Sequence, residues 1–233
     1  MSDFWHLHGL DWLTPLSDTE TARLAGHSST REYTRGETVF APTPEPRSVY
    51  LLERGLVRIF RLSREGDEAT LGYVRPGEIF GELAVLAGRP RESFAQAVRA
   101  SRVWRVPGDE LLRVLNGHPR IVLSITAQMG GRFKRIESRV ENLVFRNLRA
   151  RIAHILLELA EDFGRPADGG TLVDIALSQA DVATLVGATR QSVNLCLGEL
   201  REAKLVSIRS RRFMLHDAAA LRVEAGVDPS APS

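Results

Sequence analysis

Three side chains able to read the edge of a base pair stand close together in this chain: Arg190, Gln191 and Asn194. Arginine can form two parallel hydrogen bonds to guanine, and glutamine or asparagine two to adenine, each pair discriminating by about 1–3 kcal/mol. Thr189 stands immediately before them, and a short hydroxyl residue there caps a helix start by accepting from a backbone N–H inside the first turn. Arg190, Gln191 and Asn194 would then be exposed early residues of a helix presented to a major groove. Farther on, Arg209 and Arg211 lie in an arginine-rich turn between two short apolar runs, 205–208 and 213–215. These two arginines, with Thr189 and Ser192, have the chemistry to hold phosphates and set register without reading sequence. Over residues 189–212 there are six basic side chains against two acidic ones, whereas the whole chain carries a formal charge of only +2. The positive charge that a polyanion needs is therefore local.

A helix-turn-helix over residues 178–197 is the element that must position these groups. Ala183 is small enough to let two helices cross closely, and Gly187 can take the left-handed conformation of the turn. Val182, Val186, Val193 and Cys196 are read as filling the wedge between the helices. A polar helical hairpin without function would explain the periodicity alone, but it leaves the cap, the turn glycine and the basic wing without a role.

Other chemistries lack their parts. The single cysteine, Cys196, makes an intrachain disulfide impossible and cannot supply an iron–sulfur or structural zinc set. Residues 31–106, which read as β structure, contain no histidine, so a metal-dependent catalytic barrel has no imidazole ligands there. His6 and His8 read as solvated terminal side chains. No Ser-His-Asp set, phosphate loop or pair of catalytic carboxylates occurs in recognisable context. Neither a signal peptide nor a membrane-length apolar stretch is evident, and the expected location is cytoplasmic. The expectation is a protein that is no enzyme and holds no metal.

The remaining residues divide in pattern, and the fold class expected is α+β. Residues 1–116 read as a β-roll behind an N-terminal helix, which begins at Ser17 or Asp18 and packs through Leu16, Ala22, Leu24 and Ala25. Strands are expected at 38–40, 49–52, 56–60, 69–74 and 103–106, where β-branched and aromatic runs alternate with glycine turns. Residues 117–145 read as a long helix whose apolar seam, Val122, Ile125, Met129, Ile136, Val140 and Leu143, is interrupted at Arg132 and spaced for a two-stranded coiled coil. A winged helix-turn-helix is expected over 146–225, with a helix at 147–163, a polar loop through Gly170, and a disordered tail over 226–233.

Three motifs together resemble the Crp/Fnr family (cyclic-AMP receptor protein / fumarate-nitrate regulator) of bacterial transcription regulators: residues 75–86 (RPGEIFGELAVL), 141–145 (ENLVF) and 186–193 (VGATRQSV). The resemblance extends from about Leu13 to Leu221. It implies a β-roll effector domain, a homodimer, a palindromic DNA site and RNA polymerase as a further partner. In cyclic-AMP-binding members the residue at Glu82 takes the ribose hydroxyl and that at Arg91 the cyclic phosphate, with backbone amides near Gly81 and Leu83 completing an effector pocket. Two positions depart from that pattern. Glu92 stands where a small hydroxyl residue follows the arginine, and its carboxylate would repel a phosphate, while Ile136 and Glu137 stand where a Thr-Ser pair reaches the adenine. The expectation is therefore a structural Glu82–Arg91 ion pair and a regulator independent of cyclic AMP or answering another signal. A cyclic-nucleotide-activated regulator is the alternative. The oxygen-sensing branch's cysteines are absent, and no histidine suggests a haem ligand. In the reading helix, Gln191 replaces the family's glutamate and Leu195 its second arginine, so the preferred half-site should differ.

Overall fold

The computed structural model describes residues 15–226. His6, His8 and the tail from residue 227 lie outside the described residues. In chain order the elements are α1 (Asp18–His27), β1 (Ser29–Tyr33), β2 (Thr38–Phe40), β3 (Ser48–Arg54), β4 (Val57–Leu62), β5 (Glu68–Val74), β6 (Ile79–Phe80), α2 (Glu82–Leu86), β7 (Phe94–Ala97), β8 (Ser101–Pro107), α3 (Gly108–Gly117) and α4 (Pro119–Phe145). There follow α5 (Leu148–Phe163), β9 (Gly164–Ala167), β10 (Gly170–Val173), α6 (Gln179–Val186), α7 (Arg190–Glu202), β11 (Val206–Arg209), β12 (Arg212–Leu215) and α8 (Ala218–Glu224). Two compact units divide the chain between Lys134 and Arg135, within α4. No helix of the described residues is long and apolar enough to cross a membrane.

The first unit is an α+β roll of two four-stranded antiparallel sheets, ordered β1-β8-β3-β6 and β2-β7-β4-β5. Alternation along β3 builds both sides of its sheet. Val49 and Leu51 join Trp104, Val106, Leu24, Leu111, Ile121 and Ile125 in a cluster covered by helices. Tyr50 and Leu52 face the other way, into a cluster with Phe40, Phe80 and Val103 inside the roll. Ser17 starts α1 with a reciprocal capping box: its hydroxyl accepts from Glu20 N, and the Glu20 carboxylate accepts from Ser17 N at 2.9 Å. Leu24 is buried as expected, but Ala22 is exposed.

The seam expected on α4 is corrected by this packing. Ile125 is 2% exposed inside the first cluster and so belongs to the roll's own core, while Met129 is partly buried against that cluster. Ile121, unremarked in the sequence, is fully buried beside them. The apolar side chains that α4 leaves exposed are Val122, Leu123, Phe133, Ile136, Val140, Leu143, Val144 and Phe145. Full burial of an isoleucine is worth about 1.5–3 kcal/mol, enough to fix which side of the helix turns inward.

The second unit begins within α4. Asn147 caps α5 by accepting from Ala150 N at 2.9 Å, and Ile152, Ala153, Ile155, Leu156 and Leu159 form its buried face. The polar loop expected after Phe163 is a hairpin, β9 and β10, paired Thr171 to Pro166, and it completes a sheet ordered β11-β12-β10-β9. Arg139 and Glu158 pair bidentately at 2.5 and 3.3 Å with each side chain 11% exposed. His154 lies close by, hydrogen-bonded to the Ser138 hydroxyl at 3.1 Å. Burial, with Arg146 and Arg139 adding to it, holds this imidazole below its ordinary 6.5 against the pull of Glu158. A depressed folded value means that the unfolded chain takes up the proton first, so stability present above pH 6.5 is lost as pH falls below it. Urea midpoints measured between about pH 8 and pH 5 should fall over that window, and His154→Gln should flatten the decline. An unchanged slope in the variant would assign the effect to other groups.

Candidate nucleic-acid interface and effector pocket

Local chemistry builds the reading helix from both ends. Ser178 and Asp181 form a capping box at the start of α6, with Ser178 N donating to the carboxylate at 2.6 Å. Gly187 ends α6 at φ 62°, a left-handed conformation that favours glycine, and Ala188 N closes the turn on Ala183 O at 3.1 Å. Thr189 Oγ1 accepts from Ser192 N at 3.2 Å and starts α7, as expected. Val182, Val186 and Val193 are buried between the helices with Leu185 and Leu197, whereas Cys196 reaches the wedge only partway. Burial nevertheless pushes its thiol upward, which suits an inert side chain.

Opposite that buried side, Arg190, Gln191 and Asn194 are exposed. Gln179, a residue without a role in the sequence reading, donates through Nε2 to Asn194 Oδ1 at 2.7 Å and so orients the asparagine amide. Just before α6, Leu177 N donates to Arg211 O at 2.8 Å, tying the start of the helix pair to the wing. The wing turns through Ser210 and Arg211 at φ 51° and 64°, between the paired residues Arg209 and Arg212. Two successive left-handed residues make a two-residue hairpin turn matched to strand twist. Arg190 from the helix and Arg211 from the wing both line an open depression of about 290 Å³, together with Ser178 and Gln179. Arg212 is held by Asp174 at 3.0 Å, whereas Arg190, Arg209 and Arg211 have no carboxylate partner among the described residues. Those three guanidiniums are free for an external anion or base edge without first breaking an ion pair.

In the roll, Glu82 and Arg91 are 2% and 5% exposed, but the ion pair expected between them is absent. Arg132 holds Glu82 instead, with Nη1 at 3.3 Å from its carboxylate and Nη2 donating to Ile79 O at 2.6 Å, 3.4 Å from Glu78. An arginine interrupting an apolar helical stripe is explained by this buried carboxylate. Burial pushes the Glu82 carboxyl above the usual range, and Arg132 opposes that shift. Arg91 donates through Nη2 to Ser48 O at 2.7 Å and Gly81 O at 2.9 Å, and lies 4.2 Å over the Phe40 ring. Its Nε is buried without a hydrogen-bond partner. At Gly81, φ is 73°, and an added Cβ would stand 3.1 Å from the Arg91 guanidinium, so glycine is needed for the close approach. Leu83 points outward, 61% exposed. Glu92 is exposed and paired with Arg61, so its charge is drawn away from the position expected for it.

Comparison with known proteins agrees with both halves. Residues 30–118 match the cyclic nucleotide-binding domain and residues 150–224 the Crp-like helix-turn-helix domain. The global nitrogen regulator of Synechococcus elongatus is 32% identical over 192 residues, covering 82% of this chain and 86% of that protein. The transcriptional regulator LdrP of Thermus thermophilus is 33% identical over 201 residues, covering 84% and 96%. A solved CRP-family transcriptional regulator, also from Thermus thermophilus, superposes with a TM-score of 0.72 at 30% identity, over 87% of this chain and all of that one.

Proposed function

The chain belongs to the Crp/Fnr family of DNA-binding transcription regulators, and on that premise we propose that it reads a palindromic site as a homodimer without requiring cyclic AMP. Arg190, Gln191 and Asn194 of each copy read bases, while Thr189, Ser192, Arg209 and Arg211 hold phosphates. The observation that carries the assignment is the pairing of an unengaged Arg190 with an unengaged Arg211 around one depression, helix and wing together. Residues 117–145 form the dimerisation element through the exposed apolar side chains of α4, and RNA polymerase is the further partner that the family implies.

Independence from cyclic AMP is supported by Arg132. The carboxylate that would accept a ribose hydroxyl is already held by a guanidinium of its own unit, and Nη2 of Arg91 already serves two carbonyls. A second reading, an effector carrying an anionic group, is favoured by the unpartnered Arg91 Nε and by the outward turn of Glu92. Fluorescence anisotropy on a selected palindrome at fixed salt, with and without cyclic AMP, separates the two. Tight binding within twofold in both conditions is expected, whereas strong stimulation would overturn cyclic-AMP independence and place a nucleotide at Gly81, Glu82, Leu83 and Arg91.

A further inference from the structure

α7 meets its need for burial on one side only. Val193, Leu197 and Leu200, at most 1% exposed, form that buried side. Leu195 stands on the other side and is 65% exposed; among the described residues after α4, only Val223 on α8 is a large apolar side chain as open. At 3.6 residues per turn, Arg190, Gln191, Asn194 and Leu195 form one continuous patch, with Leu195 one turn beyond Gln191 and beside Asn194.

When this face closes on a major groove, Leu195 is buried against base edges. A leucine has no donor or acceptor, so setting it against an amino or carbonyl group strips that group of water and returns no hydrogen bond. The C5 methyl of thymine is the one methyl on the major-groove edge of the four bases, cytosine offering only a small C5–H at the same place. We infer that Leu195 is a specificity-determining residue that packs on a thymine methyl in each half-site, beside the bases read by Arg190, Gln191 and Asn194. The inference rests on α7 being the base-reading helix.

Replacing each thymine of the selected palindrome with 2′-deoxyuridine, symmetrically and one position at a time, removes the methyl and leaves every hydrogen-bonding group. Anisotropy titrations of the full-length protein at fixed salt should find one position at which this weakens binding by about fourfold per half-site, the effect of one methyl-sized apolar group. Leu195→Ala should bind the thymine and deoxyuridine duplexes alike, near the wild-type affinity for the deoxyuridine duplex. A wild-type protein indifferent to every replacement, a half-site without thymine, or a Leu195→Ala variant that keeps full sensitivity overturns the inference while leaving the dependence on Arg190 intact. If no palindrome is enriched, or Arg190→Ala binds it as the wild type does, the base-reading assignment fails and takes this inference with it.

Discussion

Arg190→Ala should weaken binding to the selected palindrome at least thirtyfold while changing affinity for a random duplex by no more than about twofold. A bidentate arginine–guanine pair discriminates by about 1–3 kcal/mol, and a symmetric site contains it twice, so the loss spans thirtyfold to well over a thousandfold. Truncation also leaves two guanine acceptors facing a closed interface without a donor, a cost that falls on the cognate sequence alone. The side chain has no ion pair among the described residues, so its removal strands no carboxylate. Arg211→Ala gives the contrasting result. It sits at the tip of the wing, holds its loop through backbone rather than side-chain bonds, and presents charge without base-edge geometry. Its loss should weaken specific and random duplexes by similar factors and reduce the salt slope by about one for each phosphate released. Titrations of both variants on both duplexes across a salt series decide the matter, and equal loss on the two duplexes for both variants would falsify the division of roles.

Elements whose requirements lie within four residues were legible in the sequence. Thr189 and Gly187 each act on a backbone group close by, and each does in the structure what its type predicts. β9 reads as loop in the sequence because Gly164 and Pro166 lie within it and Gly170 follows it. It forms an edge strand, where the N–H that proline lacks is not required by a neighbour on the open side. β1 shows burial only at Tyr33, so it carries no alternating signal and depends on β8 for its definition. Ionic partners were hidden for a different reason. Glu82 and Arg91 are close in sequence and share a motif, yet Glu82 is neutralised by Arg132, fifty residues away. No period or spacing encodes such a contact. Function was more legible than mechanism of control, because base readers advertise themselves by type on a capped helix, whereas an effector pocket is made by which buried charge has been left without a partner.

Val140→Asp should convert the protein to a folded monomer that no longer holds the palindrome. Along α4 the exposed positions Thr126, Phe133 and Val140 recur every seven residues, and Val122, Ile136 and Leu143 each stand three or four residues from one of them, the arrangement of a coiled-coil seam. Phe133, Val140 and Val144 are 67%, 54% and 68% exposed in the single chain, so covering them is what remains to be gained from association. By symmetry one substitution sets two carboxylates into that seam, close to each other and without a cation of their own. Burial of unpaired charge costs several kcal/mol, which weakens the dimer by more than a thousandfold. A monomer engages one half-site at a time, so affinity for the palindrome should drop to that of an isolated half-site. Ile125 supplies the control, because it belongs to the roll's own core and not to the seam. Ile125→Asp should unfold the roll, lowering the urea midpoint and the circular dichroism signal, whereas Val140→Asp should change neither by much. Sedimentation equilibrium at micromolar concentration gives the decisive reading. A Val140→Asp protein that remains dimeric would remove this side of α4 from the interface and require the two copies to meet elsewhere.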